Sequence, residues 1–174
     1  MAVREILRLG NPLLRIDCAP VTSFGSGRLA EVVGDLRDTL EDFRKGHGFG
    51  RGIAAPQIGV TELVIYIDAG EPVALVNPVV VRRSRRQMTL WDDCFSFPDL
   101  MVKVKRTLSI HVRYQDSEGR DHLMEAEGAL SELLQHEIDH VHGILAVDRA
   151  IDSKHIVYRS ELERSAMVKG EVAL

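Results

Sequence analysis

The sequence predicts an α+β fold in which short antiparallel β-sheets pack around a central helix, with one further helix towards each end of the chain. Apolar residues recur at helical spacing over residues 28–45 and again over residues 129–142. The stretch between them contains short alternating segments separated by turn residues, which is typical of antiparallel strands. The 174 residues are enough for one core, so we expect a single domain over residues 1–174.

The first helix is predicted over residues 28–45, after a loop at residues 22–27. Its apolar stripe consists of Leu29, Val32, Val33, Leu36, Leu40 and Phe43. Four glycines lie among residues 46–52 and end this helix. They indicate unusual backbone angles, or a close approach of the backbone to another group.

Short strands are predicted in the middle of the chain. They cover residues 63–68, 73–77, 79–82, 101–105, 108–114 and 122–127. A turn at residues 116–119 leads into the last of them. The central helix follows over residues 129–142, with Gly143 where a helix C-terminal cap belongs. Residues 154–169, which have balanced charges, are predicted to form the third helix.

Composition excludes several classes of partner. A net charge of −4 and a pI near 6.0 argue against direct nucleic-acid binding. The one dense basic run, at residues 82–86, is interpreted as a solvated hairpin or strand end. No apolar run approaches the roughly 20 residues that a membrane span needs, and no signal peptide is expected. With only two cysteines, the sequence indicates a reducing, cytoplasmic setting, in which Cys18 is a small buried hydrophobe.

Two histidines on the central helix are candidate metal ligands. His136 and His140 are four residues apart, so their rings project from the same helix face. Two imidazoles in this arrangement can hold one metal ion, and Glu137 beside them can accept a proton from water at that ion. Histidine and glutamate are also ordinary residues of helix surfaces, so the hypothesis needs a third ligand.

Three arrangements could supply that third ligand. A histidine six residues after the second is excluded, because Ala146 occupies the position. Glu161 and Glu163 on the third helix are candidates, although exposed helical glutamates are usually solvated. Cys94, in an irregular segment between strands, would supply a thiolate. The small residues of segment 50–59 permit close packing near such a site, and its Gln57 offers an amide donor that can polarise a carbonyl.

These segments together resemble the peptide deformylases. The family's motif Gly-x-Gly-Leu-Ala-Ala-x-Gln is matched at residues 50–57, with Ile53 in place of the leucine. Its motif Gln-His-Glu-x-Asp-His-x-x-Gly is matched at residues 135–143. Its motif Glu-Gly-Cys-Leu-Ser is matched only at Cys94 and Ser96. Residues 6–15 also resemble the family's opening, and the order and spacing agree over roughly residues 5–150.

The resemblance implies the peptide deformylase fold and one divalent metal ion. Its ligands would be Cys94, His136 and His140, with water in the open fourth position of a catalytic site. Ferrous iron is the expected metal, with zinc, nickel or cobalt as alternatives. Asp139, in the same motif, is expected either to orient a histidine or pair with a cation such as Arg106, or else to be a plain surface residue.

The resemblance also implies the reaction. The substrate would be an N-formyl-methionyl nascent peptide, attacked by water activated at the metal, with formate as a product. Glu137 would act as general acid and base, with a pKa closer to neutrality than that of a free glutamate. The Gln57 amide and the backbone N–H of Phe95 would bind the oxyanion. Ribosome contact would suit such an enzyme, but residues 154–169 mix arginines with glutamates and form no basic docking tail. The oligomeric state is left open.

The walls of the substrate pocket differ from the family pattern. The pocket is predicted to include Arg51, Gly52, Ile53, Leu90, Trp91, Asp92, Ala129 and Leu133. Arg51 replaces a commonly apolar residue, and Asp92, Asp93 and Phe95 replace the glutamate, glycine and leucine of the second motif. The two aspartates are expected to add negative charge beside the thiolate. Because of these changes, hydrolysis of another N-formyl or N-acyl amine is an alternative function. Two further alternatives are a metal- or peptide-binding homologue without turnover and a metallopeptidase with Glu161 as a ligand.

Overall fold

Two antiparallel sheets and three helices make up the fold in the computed structural model, which describes residues 2–169. The helices are α1 (Gly27–His47), α2 (Ala129–Val141) and α3 (Arg159–Lys169). The strands are β1 (Gly52–Ala54), β2 (Val64–Asp68), β3 (Pro72–Arg83), β4 (Gln87–Asp92), β5 (Leu100–Thr107), β6 (Ser109–Gln115), β7 (Asp121–Glu127) and β8 (Ile156–Tyr158). The α+β class expected from the sequence is confirmed.

The five-stranded sheet has the order β1-β2-β3-β6-β7, and the three-stranded sheet has the order β4-β5-β8. Helix α2 contacts β1, β2 and β7 of the larger sheet and also β5 of the smaller one. Its apolar face, which includes Leu134, Ile138 and Val141, packs in one buried cluster with strand residues such as Ile65 and Ile110. The central position predicted for this helix is confirmed.

Helix α1 covers the other side of β1 and β2. The side chain of Ser26 caps its first turn by accepting a hydrogen bond from the Leu29 N–H, at 3.2 Å. Gly48, with φ of 77°, ends it. Leu36 and Leu40 of the predicted apolar stripe are fully buried in a second cluster that includes Phe95. One face of α1 therefore supports the segment that carries Cys94.

The N-terminal segment is fastened to α1 by ionic contacts. The Arg4 Nε lies 2.6 Å from Asp35 Oδ2, and the Ala2 N–H donates to Oδ1 of the same carboxylate, also at 2.6 Å. Burial works against the charged form of Asp35, but the bonds from Arg4 and Ala2 outweigh it and lower its pKa.

Two predicted strands are in fact one. Residues 73–77 and 79–82 both belong to β3, whose register against β6 shifts between Val76 and Val79. Asn77 lies at this bulge with φ of 51°, a left-handed conformation that asparagine tolerates better than most residues. Its amide exchanges two 2.8 Å hydrogen bonds with the backbone of Val21, which stabilise the irregular geometry.

The predicted third helix begins later than expected. Asp152 caps a short 3₁₀ turn (Ser153–His155), the next three residues form β8, and α3 begins only at Arg159. β8 pairs with the start of β5, so edge pairing replaces helix there. The spacing of apolar residues could not reveal the pairing of β8 with β5, and it did not reveal strands β1 and β4.

The basic run of residues 82–86 lies at the end of β3 and in the connection to β4, with its arginines exposed, in agreement with the interpretation as a strand end. Cys18 is buried, with 6% of its surface exposed, as expected. Within residues 2–169 we find no helix with both the length and the apolar character of a membrane span.

Candidate active site

Three potential metal ligands converge on one point. The Sγ of Cys94 and one ring nitrogen each of His136 and His140 lie within 4.8 Å of one another, and all three residues are buried. Cys94 Sγ is 3.2 Å from His140 Nε2. The histidines come from adjacent turns of α2, whereas the cysteine lies in the segment that follows β4.

This donor set fits a divalent transition metal. One thiolate and two imidazoles are soft and borderline donors that suit iron, zinc, nickel or cobalt. Burial lowers the pKa of His140 well below its ordinary value, which favours the neutral ring that binds a metal. Glu161 and Glu163 are exposed on α3, and neither belongs to a potential metal-binding group among the described residues.

Asp92 orients one of the histidines. Its Oδ1 lies 2.8 Å from His136 Nδ1, which leaves Nε2 as the donor for a metal. Burial disfavours the charged form of both groups, but their pairing lowers the pKa of Asp92 to about 2 and raises that of His136 well above its ordinary value. Asp92, Glu132 and His136 form a second cluster of potential ligands, but each of the two carboxylates already binds an arginine.

A buried arginine links helix α2 to the smaller sheet. Arg106 of β5 donates from Nη2 to Asp92 Oδ2 at 3.0 Å and from Nη1 to Asp139 Oδ2. Arg149 donates to both oxygens of Asp139, at 2.8 and 3.1 Å. Of the alternatives considered for Asp139, the structure shows the cation pair with Arg106. The same arginine offsets the charge of Asp92.

Glu137 is the next residue of α2 after His136 and lines the same cavity as Cys94 and His136. The residue is buried, and within residues 2–169 its Oε2 has no hydrogen-bond partner. Burial raises the pKa of Glu137 to about 7, in the direction expected for a general acid and base. A Cβ on Gly52 would lie only 2.7 Å from Glu137 Oε1. Glycine at position 52 therefore makes room for the carboxylate.

Gln57 presents its amide nitrogen to the same point. Its Oε1 accepts a 2.9 Å hydrogen bond from the Ala54 N–H, which fixes the amide so that Nε2 faces Cys94 Sγ at 3.8 Å and Ser96 Oγ at 3.3 Å. Phe95 follows Cys94 directly, and its ring stacks on Phe43 of α1 with centroids 3.8 Å apart. Both proposed oxyanion donors are thus held by buried contacts.

A cavity of about 490 Å³ opens beside these groups. It is lined by Cys94, Phe95, Gln57, His136 and Glu137, and, of the predicted pocket residues, by Arg51, Gly52, Asp92 and Leu133.

Four other predicted pocket residues lie outside the lining of this cavity. Ile53 is fully buried in the cluster beneath α1, and Leu90 packs in the cluster around Cys94. Trp91 lies under the ammonium group of Lys103, which is 5.5 Å from its ring centroid. The carbonyl oxygen of Ala129 accepts a hydrogen bond from Arg51, which does line the cavity. Alternation along β1 and β4 explains Ile53 and Trp91, because each directly adjoins a residue that lines the cavity, Gly52 or Asp92, and neighbouring strand residues face opposite sides.

The structure adds two ion pairs, in and beside the cavity wall, that the sequence did not reveal. Arg51 Nη2 lies 2.7 Å from Glu132 Oε2, and Arg159 Nη2 lies 2.7 Å from Asp93 Oδ2. The Arg159 guanidinium also lies over the ring of Phe49, 4.5 Å from its centroid. The negative charge expected from Asp92 and Asp93 is therefore offset by arginines. Motif spacing carried no signal for these pairs, because the partners are 81 and 66 residues apart.

Comparisons with known proteins agree on one family. A family model described as Polypeptide deformylase matches residues 3–155. A peptide deformylase of Heliobacterium modesticaldum is 40% identical over 150 residues, which cover 86% of this chain and 95% of that protein.

Solved structures give the same result. The crystal structure of a peptide deformylase from Legionella pneumophila superposes with a TM-score of 0.82 at 33% identity, covering 99% of this chain and 100% of that one. A class I type b peptide deformylase from Acinetobacter baumannii, crystallised with Met-Ala-Ser bound, has a TM-score of 0.79 at 27% identity and covers 85% of this chain and 98% of its own. Because the family match and these similarities extend over most of the sequence, the chain belongs to the polypeptide deformylase family.

Proposed function

We propose that this protein is a metal-dependent amide hydrolase that removes the N-formyl group from N-formyl-methionyl peptides and releases formate. One observation carries the proposal: the three candidate metal donors converge next to Glu137, whose buried Oε2 is without a hydrogen-bond partner in the described part of the chain. A carboxylate left unpaired in such a place is costly unless a ligand or water completes it. Family membership and the relative that binds Met-Ala-Ser, the deformylated form of formyl-Met-Ala-Ser, support this substrate class.

The site residues divide the work of hydrolysis. A bound divalent metal would polarise the formyl carbonyl and lower the pKa of a water. Glu137 Oε2 takes the proton from the attacking water and returns it to the amide nitrogen as the C–N bond breaks. Formate and the free peptide amine leave. Gln57 Nε2 and the Phe95 N–H donate hydrogen bonds to the oxyanion that develops on the formyl oxygen.

The surrounding residues position these groups. Asp92 holds His136 by its Nδ1, and Arg106 holds Asp92 in turn. Burial keeps Glu137 protonatable near neutral pH, which matches the acid and base roles it must alternate between.

The decisive experiment is an anaerobic assay of iron- or nickel-loaded protein on formyl-Met-Ala-Ser, with formate as the readout. Glu137→Ala should lower kcat by about 10²–10⁴-fold, because the proton carrier is removed. Gln57→Leu should lower it by about 10²–10³-fold, because one oxyanion donor is lost. Glu163→Ala, an exposed glutamate on α3, is the matched control and should leave kcat unchanged. A kcat for Glu137→Ala within about tenfold of the wild-type value would contradict the proposed chemistry.

Metal loading gives a separate test of the ligand set. Cys94→Ser should abolish stoichiometric loading, measured by elemental analysis, because the thiolate is lost. Glu161→Gln should not change loading, since Glu161 is exposed and pairs with Arg164. The opposite pattern would favour the metallopeptidase alternative.

We further propose ferrous iron as the resident metal and the cytoplasm as the compartment. Two free, buried cysteines suit a reducing setting. Elemental analysis after anaerobic purification should find iron, and activity should fall on exposure to air as the ferrous thiolate site oxidises. Zinc as the resident metal, with activity stable in air, would contradict the choice of iron.

A further inference from the structure

An ion pair forms part of the cavity wall next to the metal ligands. Arg51 Nη2 lies 2.7 Å from Glu132 Oε2, and Arg51 Nη1 donates to the Ala129 carbonyl at 3.2 Å. The Glu132 side chain is only 9% exposed, whereas that of Arg51 is 46% exposed. Both residues line the cavity. The pair is therefore accessible to a ligand from the cavity and only partly accessible to bulk water.

The pair also lies within a side-chain length of the reacting groups. Glu132 is one helical turn before His136 on α2, and its carboxylate oxygen lies within 4.8 Å of a His136 ring nitrogen. Arg51 directly precedes Gly52, which packs against Glu137. A peptide bound with its formyl group at Glu137 would therefore have its first side chain within reach of Arg51 and Glu132, which line the same cavity.

The charges decide which side chain is accommodated there. An unbranched apolar side chain would displace water from the pair and offer no hydrogen bond in return, which is costly for charged groups. A side-chain carboxamide can accept from Arg51 and donate to Glu132, and Leu133, which lines the same cavity, offers an apolar surface for its methylene stem. The thioether of methionine, a weak acceptor, falls between these cases.

We propose that the Arg51–Glu132 ion pair determines the preference for the first side chain of the formyl peptide. It favours a side chain with a hydrogen-bonding end over an apolar one of the same length. This inference rests on the proposed deformylase function and specifies the substrate class of that same site.

The test compares formyl-Gln-Ala-Ser with formyl-norleucine-Ala-Ser, two substrates of matched length. The wild-type protein should have the higher kcat/KM for the glutamine peptide. The double variant R51L/E132L should shift the ratio towards norleucine by about tenfold or more, because a polar pocket has become apolar. The matched control R164L/E161L removes an exposed ion pair on α3 and should leave the ratio unchanged.

Two further variants sharpen the test. R51M alone leaves Glu132 without its cation and should raise the relative kcat/KM of formyl-Lys-Ala-Ser, whose ammonium can replace the guanidinium. The double variant R51M/E132M replaces the ion pair with two long, unbranched apolar side chains. It repeats the comparison of the glutamine and norleucine peptides if R51L/E132L does not fold. Calorimetric dissociation constants for the same peptides, measured in a Glu137→Gln background that blocks turnover, should show the same change of ratio.

The outcomes separate this inference from the function on which it rests. Turnover of formyl peptides with a ratio that stays within twofold in both double variants would overturn the inference alone. Metal-loaded wild-type protein that hydrolyses none of the three peptides, nor formyl-Met-Ala-Ser, would overturn the proposed function and the inference with it.

Discussion

Replacing Arg106 by leucine should be among the single changes outside the candidate metal ligands that destabilise the protein most. Only 4% of this side chain is exposed, and it bonds to Asp92 on one side and Asp139 on the other. Removing one partner of a buried ion pair costs about 3–5 kcal/mol, because charge is left uncompensated. Asp92 keeps His136 and Asp139 keeps Arg149, so we expect the lower end, about 3 kcal/mol.

Urea unfolding of the metal-free protein, followed by circular dichroism, measures this loss. With a slope of about 2 kcal/mol per molar urea, the midpoint should fall by about 1.5 M. Arg106→Lys should lie between the leucine variant and wild type, because an ammonium cannot span both carboxylates as the planar guanidinium does. Arg120→Leu, which removes an exposed arginine, is the control and should not move the midpoint. A fall of less than about 0.5 M for Arg106→Leu would refute the reasoning.

Three other predictions concern the site, the core and acid stability. Gly52→Ala should lower kcat by about 10²-fold with a smaller effect on KM, as measured by formate release. Its added Cβ would lie 2.7 Å from Glu137 Oε1 and would push the carboxylate out of place. Leu134→Ala, at a fully buried position, should cost about 2–5 kcal/mol in urea unfolding. Asp35→Asn should destabilise the protein at pH 7 and progressively less as the pH falls. Because the Arg4 contact lowers the pKa of Asp35 in the folded chain, its stabilisation is present above about pH 4 and is lost below the folded pKa.

Each of these has a control and a contradicting outcome. Gly46→Ala adds a methyl group where nothing lies within 4 Å and should keep full activity; equal activity of Gly52→Ala would contradict the packing argument. Leu123→Ala, at a position that is 59% exposed, is the control and should change the free energy of unfolding little. A similar loss of unfolding free energy for Leu123→Ala and Leu134→Ala would contradict the argument from burial. A destabilisation by Asp35→Asn that is constant from pH 7 to pH 3 would show that the carboxylate charge contributes nothing.

The central helix could be predicted within one residue of its observed end. Its apolar spacing is regular over more than three turns, and Gly143 adopts the positive φ of 70° that ends such helices. Strands β1 and β8 could not be predicted in the same way. Each has only three residues, and each depends on pairing with a strand that is distant in sequence.

The candidate metal ligands could be predicted from the sequence more completely than the residues of the cavity wall. His136 and His140 share one helix, so their spacing alone predicts a common face. Cys94 is 46 residues before His140, and no spacing rule connects them; the resemblance to a family suggested their convergence. The ion pair between Arg51, which directly precedes β1, and Glu132 of α2 could not be predicted, because only tertiary packing brings these two residues together.

The stacked rings beneath the cavity connect catalysis with a part of the molecule far from the metal ligands in sequence. Phe95 stacks on Phe43, and Phe43 stacks on His47 at 3.9 Å, so the last turns of α1 brace the loop that presents the Phe95 amide. Substitutions on that helix should therefore change the orientation of the proposed oxyanion donor without contacting the substrate. Substitutions in the last turns of α1 would therefore change kcat without changing metal loading.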